Sequence, residues 1–81
     1  DKMKKISCRE LGGACDLEFT GDSFEEVGKQ SQEHAIKMFQ QKDELHLEAA
    51  EKMKALMSSP LAMENWMNEK KEYFLNLPDE N

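Results

Sequence analysis

A pair of adjacent glycines, Gly12 and Gly13, separates two short stretches in which apolar and polar residues alternate. Every second residue of a strand shares one face, and here these residues are Lys4, Ile6 and Cys8, then Cys15, Leu17 and Phe19. Because glycine tolerates positive φ angles, the pair permits a tight chain reversal. We therefore predict an antiparallel β-hairpin in which Cys8 pairs with Cys15, so that both sulfur atoms lie on its apolar face.

Three amphipathic helices are predicted after the hairpin, because apolar residues then recur at three- and four-residue steps. The residues predicted to cap them are Asp22 or Ser23 (in Asp22-x-x-Glu25 or Ser23-x-x-Glu26), Asp43 and Ser59, with Pro60 in the first position of the third helix. The first helix is expected to reach about Gln40. Trp66, Tyr73 and Phe74 are predicted to anchor the third helix in the core, before Pro78 ends it. The predicted fold is α+β, with the element order ββααα.

The length of 81 residues leaves room for a single domain, predicted over residues 3–81. Met3 has the character of an initiator, so residues 1–2 are expected to be a vector-derived remnant. The net charge of −6 disfavours binding to nucleic acids and to anionic membranes. No membrane-spanning run or signal peptide is recognised, so we expect a cytoplasmic protein with reduced cysteines.

The only cysteines and histidines of the chain are Cys8, Cys15, His34 and His46. Two thiolates and two imidazoles make up the ligand set of a closed tetrahedral zinc site. His34 lies on the apolar stripe of the first helix, which is expected to pack on the cysteine face of the hairpin. The spacings Cys-x6-Cys and His-x11-His differ from those of common zinc fingers, so His46 can join only if the chain turns near residues 40–43.

Each of the four residues also has a simpler interpretation. A histidine on an apolar stripe is often an ordinary core residue, and His46 near a helix start is often a surface residue. Cys8 and Cys15 are alternatively a cross-strand disulfide, which a cytosolic setting disfavours, or two inert thiols.

The stretch Cys8-Arg9-Glu10-Leu11-Gly12-Gly13-x-Cys15-Asp16, followed by Phe24-Glu25-Glu26-Val27 and Glu33-His34-Ala35, closely resembles the DUF1059 family of small proteins. The resemblance implies metal binding through Cys8, Cys15 and His34, with His46 as the fourth candidate. Shorter members carry a second histidine five residues after the first, where this chain has Phe39. If His46 does not reach the site, the fourth ligand is instead Asp16, Glu10 or Glu44, a water, or a group from a neighbouring subunit.

These observations predict a small metal-binding module without enzymatic activity, held together by structural Zn²⁺. One alternative is a metal-free acidic helical homo-oligomer or adaptor, because Met63, Met67 and Phe74 extend the apolar surface of the third helix. Another is a thiol-based redox or metal sensor. A zinc hydrolase is disfavoured, because the chain is small for a shaped cleft and lacks nucleophile motifs. The expected partner is another protein or a second copy of the chain.

Overall fold

A computed structural model of the chain describes residues 3–80, and the expected remnant, residues 1–2, lies outside this range. Two strands, β1 (Lys4–Ser7) and β2 (Glu18–Gly21), flank a short 3-10 turn, Arg9–Leu11. Three helices follow, α1 (Phe24–Gln40), α2 (Glu44–Leu56) and α3 (Pro60–Leu75). The predicted α+β fold and the ββααα order are confirmed.

The hairpin is antiparallel as predicted, but the predicted register is wrong by two residues. Ile6 pairs with Phe19 instead of Leu17, and both cysteines lie outside the strands. The reason is the connection, which folds into a 3-10 turn and leaves β2 to begin only at Glu18. A shift of two residues preserves the faces of a strand, so Ile6 and Phe19 are buried as predicted. Leu17 precedes β2 and is half exposed, so its predicted place on the apolar face is wrong.

The helix boundaries follow local capping chemistry, as the sequence predicted. Of the two candidates for α1, Ser23 and not Asp22 is the cap. The capping side chains each accept a hydrogen bond from a backbone N–H in the first turn: Ser23 from Glu26, Asp43 from His46 and Ser59 from Ala62. Each bond satisfies an amide that lacks an intrahelical partner. Pro60 occupies the first turn of α3, where its missing N–H costs nothing.

The hydrophobic core is small and lies between the hairpin, α1 and the C-terminal end of α3. Its buried members are Ile6, Cys8, Leu11, Phe19, Phe24, Val27 and Phe74. Phe74 is the one predicted anchor of α3 that is fully buried, whereas Trp66 is partly buried and Tyr73 is 43% exposed. The prediction of Tyr73 as a core residue is therefore wrong, because its hydroxyl donates instead to Glu10 at the surface.

Beyond this core the molecule is thin, with principal extents of 36 × 30 × 15 Å. Several large apolar side chains of α2 and α3 remain exposed, among them Leu45, Leu56, Leu61 and Leu75.

Within residues 3–80, no helix combines the length and the apolarity that crossing a membrane requires. The single domain over residues 3–81 stays a prediction.

Candidate metal centre

The fold brings together all four residues that the sequence singled out. One ligand atom each from Cys8, Cys15, His34 and His46 lies within 4.8 Å of the other three. The residues come from three separate parts of the fold, since the cysteines flank the 3-10 turn and the histidines lie on α1 and α2. The turn near residues 40–43, on which the participation of His46 depended, is present.

Cys8 is fixed by the backbone of the loop between the strands. Its amide donates to the carbonyl of Leu17 at 2.7 Å, and its carbonyl accepts from the amides of Leu11 and Gly13 at 3.1 and 2.8 Å. These bonds turn the chain so that the sulfur is buried, with Cys8 only 3% exposed.

The two glycines of this loop make room for the site. A Cβ atom on Gly13 would lie 2.1 Å from the Cys8 sulfur, so the sulfur occupies the space that any other side chain would fill. Gly12 has φ +94°, in the left-handed region that glycine favours, and closes the 3-10 turn. The Gly-Gly pair therefore shapes a cradle for the sulfur as well as reversing the chain.

Cys15 and His34 form the first sulfur–imidazole pair. The Cys15 Sγ lies 3.3 Å from the His34 Nε2, and the His34 ring rests against Phe19 with centroids 5.8 Å apart. Both residues are partly buried, so this side of the cluster borders solvent. The apolar stripe of α1 places His34 here, as the sequence predicted.

Cys8 and His46 form the second pair, with 3.8 Å between the Cys8 Sγ and the His46 Nε2. His46 is 7% exposed, so the alternative interpretation as a surface residue is wrong. It occupies the first turn of α2, which follows α1 after only three residues and folds back toward the hairpin. The rings of His34 and His46 meet edge to face, 5.1 Å apart.

Asp43 orients the His46 ring. Its Oδ2 lies 2.6 Å from the His46 Nδ1 and also accepts from the His46 backbone N–H at 3.0 Å. An ionised carboxylate can only accept, so Nδ1 carries a proton, and in the neutral tautomer Nε2 is then the nitrogen free to bind a metal ion. A carboxylate behind a ligating histidine is a recurrent feature of metal sites.

Burial and hydrogen bonds shift the pKa values of Cys8, His34 and Asp43. Burial raises the pKa of the Cys8 thiol, against the opposing effect of the backbone N–H groups of Cys15 and Ala14. Burial also lowers the pKa of His34, with smaller contributions from His46 and Lys37. The hydrogen bonds from the side chain and backbone of His46 lower the pKa of Asp43. The metal-free cluster thus holds a neutral His34 and an ionised Asp43.

The donor set fits a tetrahedral ion such as Zn²⁺. With bonds of about 2.3 Å to sulfur and 2.0–2.1 Å to nitrogen, tetrahedral ligand atoms lie about 3.3–3.8 Å apart. The two sulfur–nitrogen distances lie in this range. The other pairs of ligand atoms are at most 4.8 Å apart, so small side-chain rotations can bring them to the distances that the ion requires. The two cysteines and two histidines therefore fit a tetrahedral metal ion.

The other candidate ligands are engaged elsewhere or exposed. Asp16 pairs with Arg9 at 2.9 Å, and Glu10 accepts from the Ser7 amide and from the Tyr73 hydroxyl. Glu44 is exposed at the start of α2. Among residues 3–80, the four predicted ligands are the one group of three or more cysteine, histidine and acidic residues with metal-binding geometry.

Sequence reasoning did not find two residues of the site, Gly13 as the sulfur cradle and Asp43 as the partner of His46 Nδ1. A signal for Asp43 was available, since a helix cap three residues before a histidine lies within reach of its ring. No comparable signal existed for Gly13, because its role depends on where the Cys8 sulfur points.

The chain was compared with protein families, curated proteins and solved structures. The family model described as "Protein of unknown function (DUF1059)" matches residues 3–58, a span that contains the hairpin, α1, α2 and all four cluster residues. No curated protein and no solved structure matches the chain.

Proposed function

The chain belongs to the DUF1059 family, and we propose that it is a structural zinc module in which Cys8, Cys15, His34 and His46 hold one ion. The observation that carries this proposal is the convergence of four donor atoms within 4.8 Å. Two sulfur and two imidazole donors form a closed ligand set, which leaves no position for a substrate or an activated water. A structural role follows from that closure, and an enzymatic one does not.

The ion would act as a cross-link that ties α2, whose one buried residue is His46, to the hairpin loop and α1. Cys8 and Cys15 would anchor the hairpin loop, His34 the middle of α1, and His46 the start of α2. The small core leaves a chain of this length marginally stable. Zinc binding contributes on the order of 10 kcal/mol to the folding of small zinc domains, which is enough to make the folded state dominant.

The test is the metal content of protein prepared without a histidine tag, measured by inductively coupled plasma mass spectrometry, together with melting before and after chelation. We expect about one zinc per chain and a large decrease in the melting temperature when the metal is removed by a chelator. His46→Ala should lose the metal, and Leu45→Ala is the matched control, because Leu45 lies in the same turn of α2 but is 64% exposed. Protein without metal whose melting is unaffected by chelation would contradict the proposal.

A second candidate function, a thiol-based redox sensor, is favoured by the two free cysteines whose sulfur atoms lie within 4.8 Å. Hydrogen peroxide would take two electrons from the thiolates and form one disulfide, and with two protons it would leave as two waters while the zinc is released. Reversible zinc release with a loss of two titratable thiols would support this function. Retention of zinc under mild peroxide would contradict the redox function and favour the purely structural zinc module.

A further inference from the structure

One face of α3 is buried at its C-terminal end and exposed at its N-terminal end. Met63, Met67 and Phe74 share this face, because they are separated by four and seven residues. Phe74 is fully buried and meets Phe24 of α1 edge-on at 6.1 Å, whereas Met67 is 45% and Met63 48% exposed. The helix is therefore held to α1 at one end and diverges from it toward the other.

The divergence leaves a cavity of about 490 Å³ between the two helices. We call it the α1–α3 wedge, and its walls include Phe24, Gly28, Ser31, Ala35, Trp66 and Met67. Gly28, Ser31 and Ala35 are the small residues of the α1 side, which also carries larger side chains, while the α3 side presents a tryptophan and a methionine. A surface of this shape accommodates the ridge of another helix.

Gly28 has no explanation within the chain. A glycine in the interior of a helix is destabilising relative to alanine. A Cβ atom built on Gly28 would meet no atom within 4 Å, so no neighbour in this chain requires its absence. A glycine at this position does allow the backbone of a second molecule to approach α1 closely.

The exposed area of the chain is larger than that of a typical compact monomer of the same mass. Its accessible surface is 5834 Å², whereas a monomeric protein of 9.4 kDa exposes about 5,000 Å² by the usual scaling with mass. The excess of about 800 Å² is comparable to the area that one partner contributes to a standard stable interface, so the chain exposes enough surface to form one. The thin shape of the molecule is consistent with this excess.

The charges in the wedge favour a second copy over a partner of opposite charge. Among the residues lining it, Glu25 and Lys29 carry opposite charges and cancel. The chain as a whole carries −6, so its acidic excess lies outside the wedge. Two acidic copies can therefore meet at this surface without burying like charges, and a basic peptide would find no acidic patch there.

We propose that the α1–α3 wedge is the interface of a homodimer, in which two copies pair by the same surface and their α1 helices cross at Gly28. An interface of this kind is isologous, so each copy supplies the same residues to the other. The exposed face of Met63 and Met67 is then covered by the partner. This inference goes beyond the zinc site and does not depend on it.

The test measures the mass of the full chain by sedimentation and by light scattering across the micromolar range. Gly28→Gln should abolish the dimer, because the longer side chain has free space in the single chain but blocks close approach of a second α1. Met67→Glu should do the same by placing a charge in the contact. Leu61→Glu is the matched control, because Leu61 is an exposed apolar residue on another side of α3.

We expect twice the chain mass for the wild type and for Leu61→Glu, and the mass of a single chain for Gly28→Gln and Met67→Glu. Circular dichroism and zinc content of each variant report separately on the fold and on the metal site. Three results would overturn the proposal: a wild type that is monomeric throughout, a dimer that survives Gly28→Gln, or dissociation of Leu61→Glu. If Met67→Glu does not fold, Gly28→Gln decides alone.

Discussion

Asp43 caps α2 and orients the ring of His46 with the same carboxylate oxygen. The two contacts respond differently to substitution. Asparagine caps helices as well as aspartate does, but its neutral amide polarises the imidazole less. The second contact can therefore be weakened with little effect on the first.

For Asp43→Asn we predict a loss of about tenfold in zinc affinity, at the lower end of the range for partners of metal ligands, with little change in metal-free stability. Zinc affinity is measured by competition with a chromophoric chelator, and stability by urea unfolding of the metal-free protein. Ser59→Asn, which exchanges one good cap for another on α3, is the matched control and should leave the affinity unchanged. Wild-type affinity in Asp43→Asn would show that the carboxylate does not support the metal site.

At the scale of the elements, the turn between α1 and α2 brings His46 to the cysteines. The amide of Lys42 bonds to the carbonyl of Phe39, and the amide of Asp43 bonds to that of Met38, which is the Schellman pattern of a helix end. Lys42 occupies the left-handed position of this motif, with φ +55°, where glycine is the usual residue. The turn therefore carries backbone strain directly before the cap of α2.

Lys42→Gly should stabilise the protein by about 1 kcal/mol, because the relief of strain exceeds the added flexibility of the unfolded chain. Gln41→Gly is the matched control, since Gln41 has φ −84° and gains nothing from glycine there, so a loss of stability is expected. Both changes are measured by urea unfolding of the zinc-bound protein. A destabilised Lys42→Gly would indicate that the lysine side chain has a stabilising role of its own.

Features of the fold that depend on neighbouring residues could be predicted from the sequence, and features that depend on distant residues could not. The caps Ser23, Asp43 and Ser59 were predicted because each acts on amides within three residues. The hairpin register was predicted wrongly, because it depends on how the ten residues between β1 and β2 fold. The shift of two residues kept the faces, so the sequence still located the apolar side of Ile6 and Phe19.

At the scale of the whole molecule, the cluster of two cysteines and two histidines could be predicted from residue type, whereas the burial of the helices could not. Two cysteines and two histidines limit the choice of ligands, so the set could be named before its geometry was known. The exposure of Leu45 and Tyr73 depends on how far α2 and α3 diverge from the body of the fold. Periodicity indicates which face of a helix is apolar, but gives no information about the angle between two helices.

The proposed zinc site and α3 stabilise different parts of the molecule. All four candidate ligands precede residue 58, where the family match ends, and α3 begins at Pro60. Phe74, which is fully buried against the core, provides the apolar attachment of α3. If zinc supplies on the order of 10 kcal/mol, the rest of the fold should survive the loss of this attachment.

We therefore predict opposite results for Phe74→Ala with and without metal. Truncating a buried phenylalanine costs about 3–5 kcal/mol, which should unfold the marginal metal-free chain but leave the zinc-bound chain folded with α3 detached. Far-ultraviolet circular dichroism with and without chelator measures the first effect, and limited proteolysis in α3 measures the second. Leu75→Ala, next to Phe74 in the same helix but 57% exposed, is the matched control and should change neither. A zinc-loaded Phe74→Ala chain that is unfolded throughout would show that the packing of α3, and not the metal, maintains the fold.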